Sequence, residues 1–581
     1  MRTPNVAYRC IFNGCPNAER LRIPVTIKVH ILCEHRLYIP ESARVCQEHL
    51  MGNDNWNFLI DNCNVTHNFN VRQITDMTNM LVRTITQGQR FDFELETALT
   101  DNDLYFWTGL NLQQFNRILE ETPSLAQRSN RPRTVLGIYM TKLRTGESNE
   151  RLSTLFNISR RTLERKLALA RECLMNDFVN RHLGIGHISR ENILQRNLLL
   201  PKGLFGNEEN TKAIVIADGT NMYIEKSSNF LFQRRTYSLH KFQNLLKPFL
   251  MVCSDGYIIE VYGPYAATDS DASIMNNILN DEENPFHWMF HRNHVFILDR
   301  GFRDSVENLQ ALGYEAHIPP TKDRFETQLT TVQANKSRLK TLCRWVLEAV
   351  NGKFKNRFKL LRQDYFNRAL PHLFVDFKIA AALINAFYKI AVDNEHANEI
   401  LRIANERLHT PNLLNDYVQL RNLNRQRAAF ITLEANQLED FPRLTINEIF
   451  MISLGSYQIE LAKSYCSEHL RNGLYTTEVC RENELNNLAA CNIHHQNVWL
   501  LRGRIQSRHV RARTYYVYIL VNRNEMGRDA IAQYYCSCLT GRRTVGSCAH
   551  TISIIWYLGL GRHIQFNPPA GYLDDIIIDI D

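Results

Sequence analysis

Apolar residues recur at three- and four-residue steps through 69–120 and again through 134–183, the spacing of helices that bury one face. From Ala213 the period shortens. The runs AIVIAD (213–218), FLMVCS (249–254), YIIEVYG (257–263) and HVFILD (294–299) predict strands, the middle two joined as a hairpin through Asp255-Gly256. Helical spacing returns at 336–362 and 372–435. The final part, 496–560, adds strand-like VWLLRGRI and RTYYVYILV, then a cysteine cluster and the apolar helix TISIIWYLG. No repeat of 20–50 residues and no Pro, Gly or Ser tract interrupts these segments. The changes of period divide the chain at 1–67, 68–200, 211–395, 396–495 and 496–581, the fourth part reading as a mostly helical connector. The class is multidomain α/β.

At 581 residues, several domains are expected, and 44% hydrophobic with 22% charged residues is the balance of a folded chain rather than a disordered one. No apolar run reaches about 18 residues. The longest, Ile379 to Val392, is broken by Asn385 and Lys389, and the first ten residues lack the apolar core of a secretory signal, so a membrane protein is not expected. The net charge of +8 leaves nucleic acid open as a partner. Fourteen cysteines are too dilute for a disulfide scaffold, yet they gather at the two ends with metal-ligand spacing.

Two predicted strands end on an aspartate followed by a tight turn, Asp218 in AIVIAD-GT and Asp299 in HVFILD-RGF. Ligands collect outside strand ends in α/β sheets, so both carboxylates are candidates for a cleft. Glu348 is the one acid in residues 335–362, which hold nine Lys and Arg, and at 3.6 residues per turn Arg344, Glu348, Lys355 and Lys359 share a face. Phosphodiester cleavage uses two divalent cations about 3.5–4 Å apart, and hard cations such as Mg²⁺ take carboxylate oxygens. Three converging carboxylates supply that chemistry, with Arg300, Arg303, Arg344 and Lys355 near enough in sequence to hold phosphates. The bland reading is that Asp218 and Asp299 only form turns.

The stretches ADGTNMYIEKSSNFLFQRRTYSLHK (217–241), KPFLMVCSDGYIIEVYGPY (247–265), LDRGFRD (298–304) and RWVLEAVNGKFKNRF (344–358) resemble, in order, the DDE transposases of the PIF/Harbinger type and their bacterial insertion-sequence relatives. The resemblance implies an RNase H-like core, a mixed sheet flanked by helices, over 211–395. It implies Asp218, Asp299 and Glu348 as catalytic ligands of two Mg²⁺ or Mn²⁺ ions, and strand cleavage followed by attack of the freed 3′-hydroxyl on target DNA. It further implies double-stranded DNA, transposon ends and target, as substrate, a homodimer or higher oligomer, and a place in the nucleus. The alternative is a domesticated DNA-binding or chromatin protein whose nuclease is idle. Asp271 sits where such transposases often carry an extra acid that supports substrate or metal, but the favoured reading is the N-cap of the following helix. Asp255 reads as hairpin chemistry, and His240 and Lys241 as a phosphate-contacting or plain surface pair.

Residues 134–176 read as a helix, a break at Gly146, a short helix over 149–156 and a helix from near Ser159, the order of a helix-turn-helix. Residues 131–180 hold ten Lys and Arg against five acids. Arg160, Arg161 and Arg165 open the second helix, where DNA contacts are usually made, while an ordinary bundle with a basic face is the other reading. Such a domain commonly precedes the catalytic core in the transposases named above.

Near the C-terminus, Cys536-x-Cys538 and Cys548-x-His550 offer four ligands suited to tetrahedral Zn²⁺. The pattern resembles the SWIM zinc finger, with Arg542 and Arg543 presented from its loop. At the N-terminus, Cys10-x4-Cys15 and Cys46-x2-His49 resemble a shortened THAP-type C2CH module, a second Zn²⁺ site, over 1–67. Cys33 and His35 compete as ligands there, and Cys63 and His67 lie nearby.

Overall fold

The computed structural model describes residues 1, 3–4, 10–12, 14–18, 20–51, 65–86, 93–94, 99–471, 475–508, 510 and 512–564. They form two compact units, Met1–Phe178 and Val179–Asp581.

In the first unit a helix, Val25–His35, lies between two short strands, Leu21–Arg22 and Arg44–Val45, which pair antiparallel. Cys10, Ile11, Ile23, Ile31, Leu37, Ile39 and Val45 make the small core beneath them. Helix Val71–Thr86 follows, and its Met77 and Met80 pack with Leu32 and Tyr38. The chain then runs through helices Asp101–Thr108, Leu112–Glu121, Pro132–Thr145, Asn149–Leu155 and Arg160–Cys173. Local chemistry sets their ends. Asn111 and Gln114 form a capping box, Pro132 opens its helix at a position where the missing N–H costs nothing, and Ser148 and Ser159 cap the next two. Gly146, at φ 68, closes the 132–145 helix in the left-handed region. That helix is buried from Thr134 through Leu143, so its neighbours wrap it on every side.

The second unit is built on two sheets. The first runs in the order Glu315–His317, Val295–Ile297, Ile214–Gly219, Gln243–Cys253, Ile258–Ala266. Its first three strands are mutually parallel and its last three antiparallel. Ile214 to Ala217 are fully buried because helices cover both faces, which is why this strand is an unbroken apolar run. Helix Asp271–Asn280 packs on one face through Ile274, Met275 and Ile278. Helix Thr331–Arg357 lies over the other, and Val346 reaches the Gly256 turn. Helix Leu370–Phe387, long and apolar enough by composition to cross a membrane, packs in this unit's core against Ile258–Ala266.

The second sheet is antiparallel throughout: Phe430–Thr432, Tyr475–Cys480, Val498–Gln506, Thr514–Asn522, Ile531–Cys536. Trp499, Leu501 and Ile505 face helices Tyr457–Arg471 and Ala549–Gly559, while Leu500 faces Leu413–Leu420. Three sequence expectations need correcting. The stretch 396–495 carries helices, yet it also supplies the first two strands of this sheet, so the division at 495/496 cuts through one core. Those strands are short, and YTTEVC has too few apolar positions to show a period. Strand Gln243–Cys253 begins six residues earlier than the run FLMVCS, reading through Pro248 because the ladder shifts register there. The basic helix ends at Arg357, so Lys359 falls in a separate 3₁₀ turn and does not share the face of Arg344.

Candidate functional site

Asp218 is the penultimate residue of strand Ile214–Gly219, placed there by the buried run before it. Asp299 follows Val295–Ile297, the parallel neighbour, and its carboxylate accepts from the Gly301 N–H to open a 3₁₀ turn. Adjacent parallel strands therefore deliver both acids to one end of the sheet. The third acid there is Asp271, in the first turn of its helix. Ser270, not Asp271, is the cap of that helix, accepting from Ser273 N–H at 3.0 Å, which leaves the Asp271 carboxylate for other work.

Two glycines make the approach possible. A Cβ on Gly219 would stand 2.6 Å from Asp271 Oδ1, and one on Gly301 would stand 3.2 Å from Asp271 Oδ2 and 3.1 Å from Asp299 Oδ1. These glycines follow Asp218 and Asp299 closely in sequence. A residue with a side chain at either position would push the carboxylates apart.

Arg344, on helix Thr331–Arg357, donates to Asp218 Oδ2 at 2.8 Å and lies 3.8 Å from Asp299 Oδ2. Lys247 Nζ is 3.6 Å from Asp271 Oδ1 and donates to the Asp269 carbonyl at 2.7 Å. Burial pushes Asp218 up to about 7, with Arg344 opposing and Asp299 and Asp271 reinforcing. Burial also raises Asp271, against the pull of Lys247. Like charges are thus held together at the sheet end by two cations, a site that favours positive charge.

Glu348 lies one turn beyond Arg344 on the same helix face and is exposed. Arg300, Arg303 and Lys355 are exposed as well, Arg303 pairing with Asp304 at 2.9 Å. The structure brings together Asp218, Asp271, Asp299 and Arg344, whereas Glu348 is exposed on the helix that carries Arg344. The donors are hard oxygens, and Asp271 Oδ1, 3.6 Å from Lys247, is buried with no hydrogen-bond partner among the described residues, so the set fits Mg²⁺ or Mn²⁺. Asp255 is separate, buried in its turn, where it accepts from Arg196 and from Tyr257 N–H.

Both thiol clusters are assembled. Cys536, Cys538, Cys548 and His550 bring one ligand atom each within 4.8 Å of one another, as do Cys10, Cys15, Cys46 and His49. Either set could hold tetrahedral Zn²⁺. In the first, Cys536 and Cys538 lie at and just beyond the end of a strand, while Cys548 caps helix Ala549–Gly559 and His550 sits in its first turn. Tyr465 Oη lies 3.1 Å from His550 Nε2, which leaves Nδ1 turned toward the thiols. Hydrogen bonds from Cys536 and Cys538 hold the Cys548 thiol well below its ordinary value. Arg543 is buried and bonded to Thr540, so it is not presented to a partner as the loop position suggested.

In the second cluster, Cys46 Sγ and His49 Nδ1 are 3.1 Å apart. Burial works against the Cys46 thiolate, but hydrogen bonds from Asn17 and His49 bring it down to about 7. Cys33 is exposed and His35 ends its helix; neither belongs to the cluster. His67 contacts the Met1 carbonyl, and Cys63 lies outside the described residues.

Helices Asn149–Leu155 and Arg160–Cys173 are joined by a tight turn in which Asn157 takes φ 48. Leu163, Leu167 and Ala170 bury one face of the second helix. Arg161 and Arg165 are exposed, whereas Arg160 is tied to Glu150 and to Glu164, the latter at 2.9 Å.

Comparison with curated proteins and with solved structures returns no match. A family model described as DDE superfamily endonuclease matches residues 217–385, the stretch that carries Asp218, Asp271, Asp299, Arg344 and Glu348, and it supports a DDE transposase-like nuclease in this part of the chain.

Proposed function

We propose that the chain is a DNA transposase of the PIF/Harbinger type with an RNase H-like core, and that Asp218, Asp299 and Glu348, joined by Asp271, carry its chemistry. The observation that carries this reading is the convergence of Asp218, Asp271 and Asp299 at one end of a mixed sheet, where Arg344 holds Asp218 and lies close to Asp299 while Lys247 pairs with Asp271. Two Mg²⁺ or Mn²⁺ ions would be held by these acids and would supply activation of the attacking oxygen and stabilisation of the leaving one. Asp218 and Asp299 fix the site because their strands are locked side by side. Arg344 and Lys247 neutralise the acids before substrate arrives and can then turn to phosphate oxygens. Arg300 and Lys355, exposed nearby in the chain, are the further phosphate contacts.

Recognition of terminal repeats falls to the helix-turn-helix, where Arg161 and Arg165 are the DNA-contacting residues and Arg160 is held by its two glutamates. The Cys536 group is the SWIM-like zinc site and the Cys10 group the THAP-like one, each with one Zn²⁺. Action on paired ends calls for a dimer or higher oligomer working in the nucleus. The test is incubation of purified protein with labelled duplex ends and Mg²⁺ or Mn²⁺. Metal-dependent nicking that disappears in Asp299→Asn is the expected result; no nicking by the wild type, or equal nicking by the variant, overturns the reading.

A further inference from the structure

After Ile214–Gly219 the short strand Met222–Tyr223 still pairs with Leu246 and Leu245; the chain then leaves the sheet, forms helix Phe230–Thr236, and returns through Tyr237–Ser238, which pairs with Asn244 and Gln243. From Lys226 to Lys247 the sequence holds Lys226, Arg234, Arg235, Lys241 and Lys247 and no Asp or Glu. On the same excursion Phe230, Leu231, Leu239 and Phe242 are 73%, 72%, 79% and 76% exposed. Phe242 adopts φ 55, a backbone conformation that bulky side chains rarely take, and its N–H is anchored on the Ser238 carbonyl at 2.8 Å. Large apolar side chains held out among cations match a polyanion that also offers flat apolar faces: a nucleic-acid strand, whose bases stack on aromatics while its phosphates meet Lys and Arg.

A cleft of about 340 Å³ opens at the base of the excursion, lined by Lys226, Gln233, Tyr237, Phe242, Gln243 and Asn244, with Ile224 and one acid, Asp364, completing its wall. Two aromatic rings and three carboxamides, each with a donor and an acceptor, are the means by which an unstacked base is gripped on its faces and read on its edge. The strand also fixes the range. Asp218 pairs with Leu250, six residues from Asn244 on Gln243–Cys253. At about 3.3 Å per residue that separation is roughly 20 Å, near six nucleotide steps of about 3.4 Å.

We infer that this cleft receives an unstacked nucleobase of the DNA strand held at the acidic site, with Tyr237 and Phe242 stacking on it and Arg234, Arg235 and Lys241 on the flanking phosphates. The inference rests on the nuclease reading for its choice of DNA. Its test uses the full chain with a short intact duplex, the same duplex carrying one extrahelical 2-aminopurine, and dAMP as competitor. The bulged duplex is expected to bind about tenfold more tightly, with a change in 2-aminopurine fluorescence. Phe242→Ala and Gln243→Ala are expected to remove that preference while binding of the intact duplex stays within about twofold. Equal binding of the two duplexes by the wild type, or a preference retained in both variants, overturns the inference. Displacement of the bulged duplex by millimolar dAMP overturns it too, in favour of a free nucleotide. Nicking assayed on the same samples separates the two readings: nicking without base preference sinks this inference alone, and base preference without nicking sinks the nuclease alone.

Discussion

Asn335 and Thr544 are joined twice. Asn335 Oδ1 accepts from the Thr544 N–H at 2.8 Å, and its Nδ2 donates to Thr544 Oγ1 at 2.9 Å. Asn335 lies early in the helix that carries Arg344 and Glu348, while Thr544 lies in the loop between Cys538 and Cys548. The tie is broad. Gln328 donates to the Cys536 and Cys538 carbonyls and accepts from Tyr535, and Arg338 donates to the Ser453 and Leu454 carbonyls beside Gly546. The thiol loop and the Arg344 helix are thus one packed body.

With zinc held by the Cys536 group as proposed, that relationship predicts that its loss is felt along the helix that carries Arg344. In Cys548→Ser, bound zinc should fall by one ion in native mass spectrometry, and hydrogen exchange over 331–347 should accelerate. Asn335→Ala should destabilise by about 2–4 kcal/mol, since it strands several buried partners at once, and should accelerate the same amides with zinc still bound. Unchanged exchange at 331–347 in both variants would show that the loop and the helix are uncoupled.

Asp271 separates a catalytic acid from a helix cap. Ser270 already caps the helix, so Ser270→Ala should cost about 1 kcal/mol of stability and leave nicking nearly intact. Asp271→Asn should do the reverse, lowering nicking by about 100-fold or more with little change in Tm. Equal nicking by Asp271→Asn and the wild type would remove Asp271 from the site.

The ease with which each acid could be read differs for physical reasons. Asp218 and Asp299 end buried apolar runs, so their arrival at one sheet end is written in local pattern. Asp271 depends on two glycines distant in sequence, and Arg344 on a helix packed across the sheet; neither contact has a period to reveal it. The same limit hid strands Phe430–Thr432 and Tyr475–Cys480, whose few alternating residues acquire meaning only beside Val498–Gln506. The thiol groups were legible because ligand spacing is itself the constraint.

Asp218 sets a pH dependence. Its carboxyl is raised from an ordinary value of 3.8 to about 7, so between those values the folded chain keeps a proton that the unfolded chain has released. Stability from this group is therefore present at low pH and lost as pH rises toward 7. Divalent-ion binding must displace the same proton, so Mg²⁺ affinity should rise as much as tenfold per pH unit below about 7 and level off above it. Calorimetric titration across pH 5–8 checks this. A flat profile in the wild type, or one that Asp218→Asn leaves unaltered, would contradict the assignment.

The arginines that open helix Arg160–Cys173 should not be equivalent. Arg160 is committed to Glu150 and Glu164, so Arg160→Ala breaks only exposed, solvent-screened ion pairs and should barely change DNA affinity. Arg161 and Arg165 are exposed beside it. Under the proposed DNA-binding role, loss of either removes one phosphate or base contact: loss of a phosphate contact lowers the slope of log affinity against log salt by about one unit, whereas loss of a base contact costs about 1–3 kcal/mol on one sequence only. Binding titrations at several salt concentrations with each single variant distinguish these outcomes. Should Arg160→Ala weaken binding as much as Arg161→Ala and Arg165→Ala, the helix is using its charge as a whole face, and a defined recognition edge at its first turn is excluded.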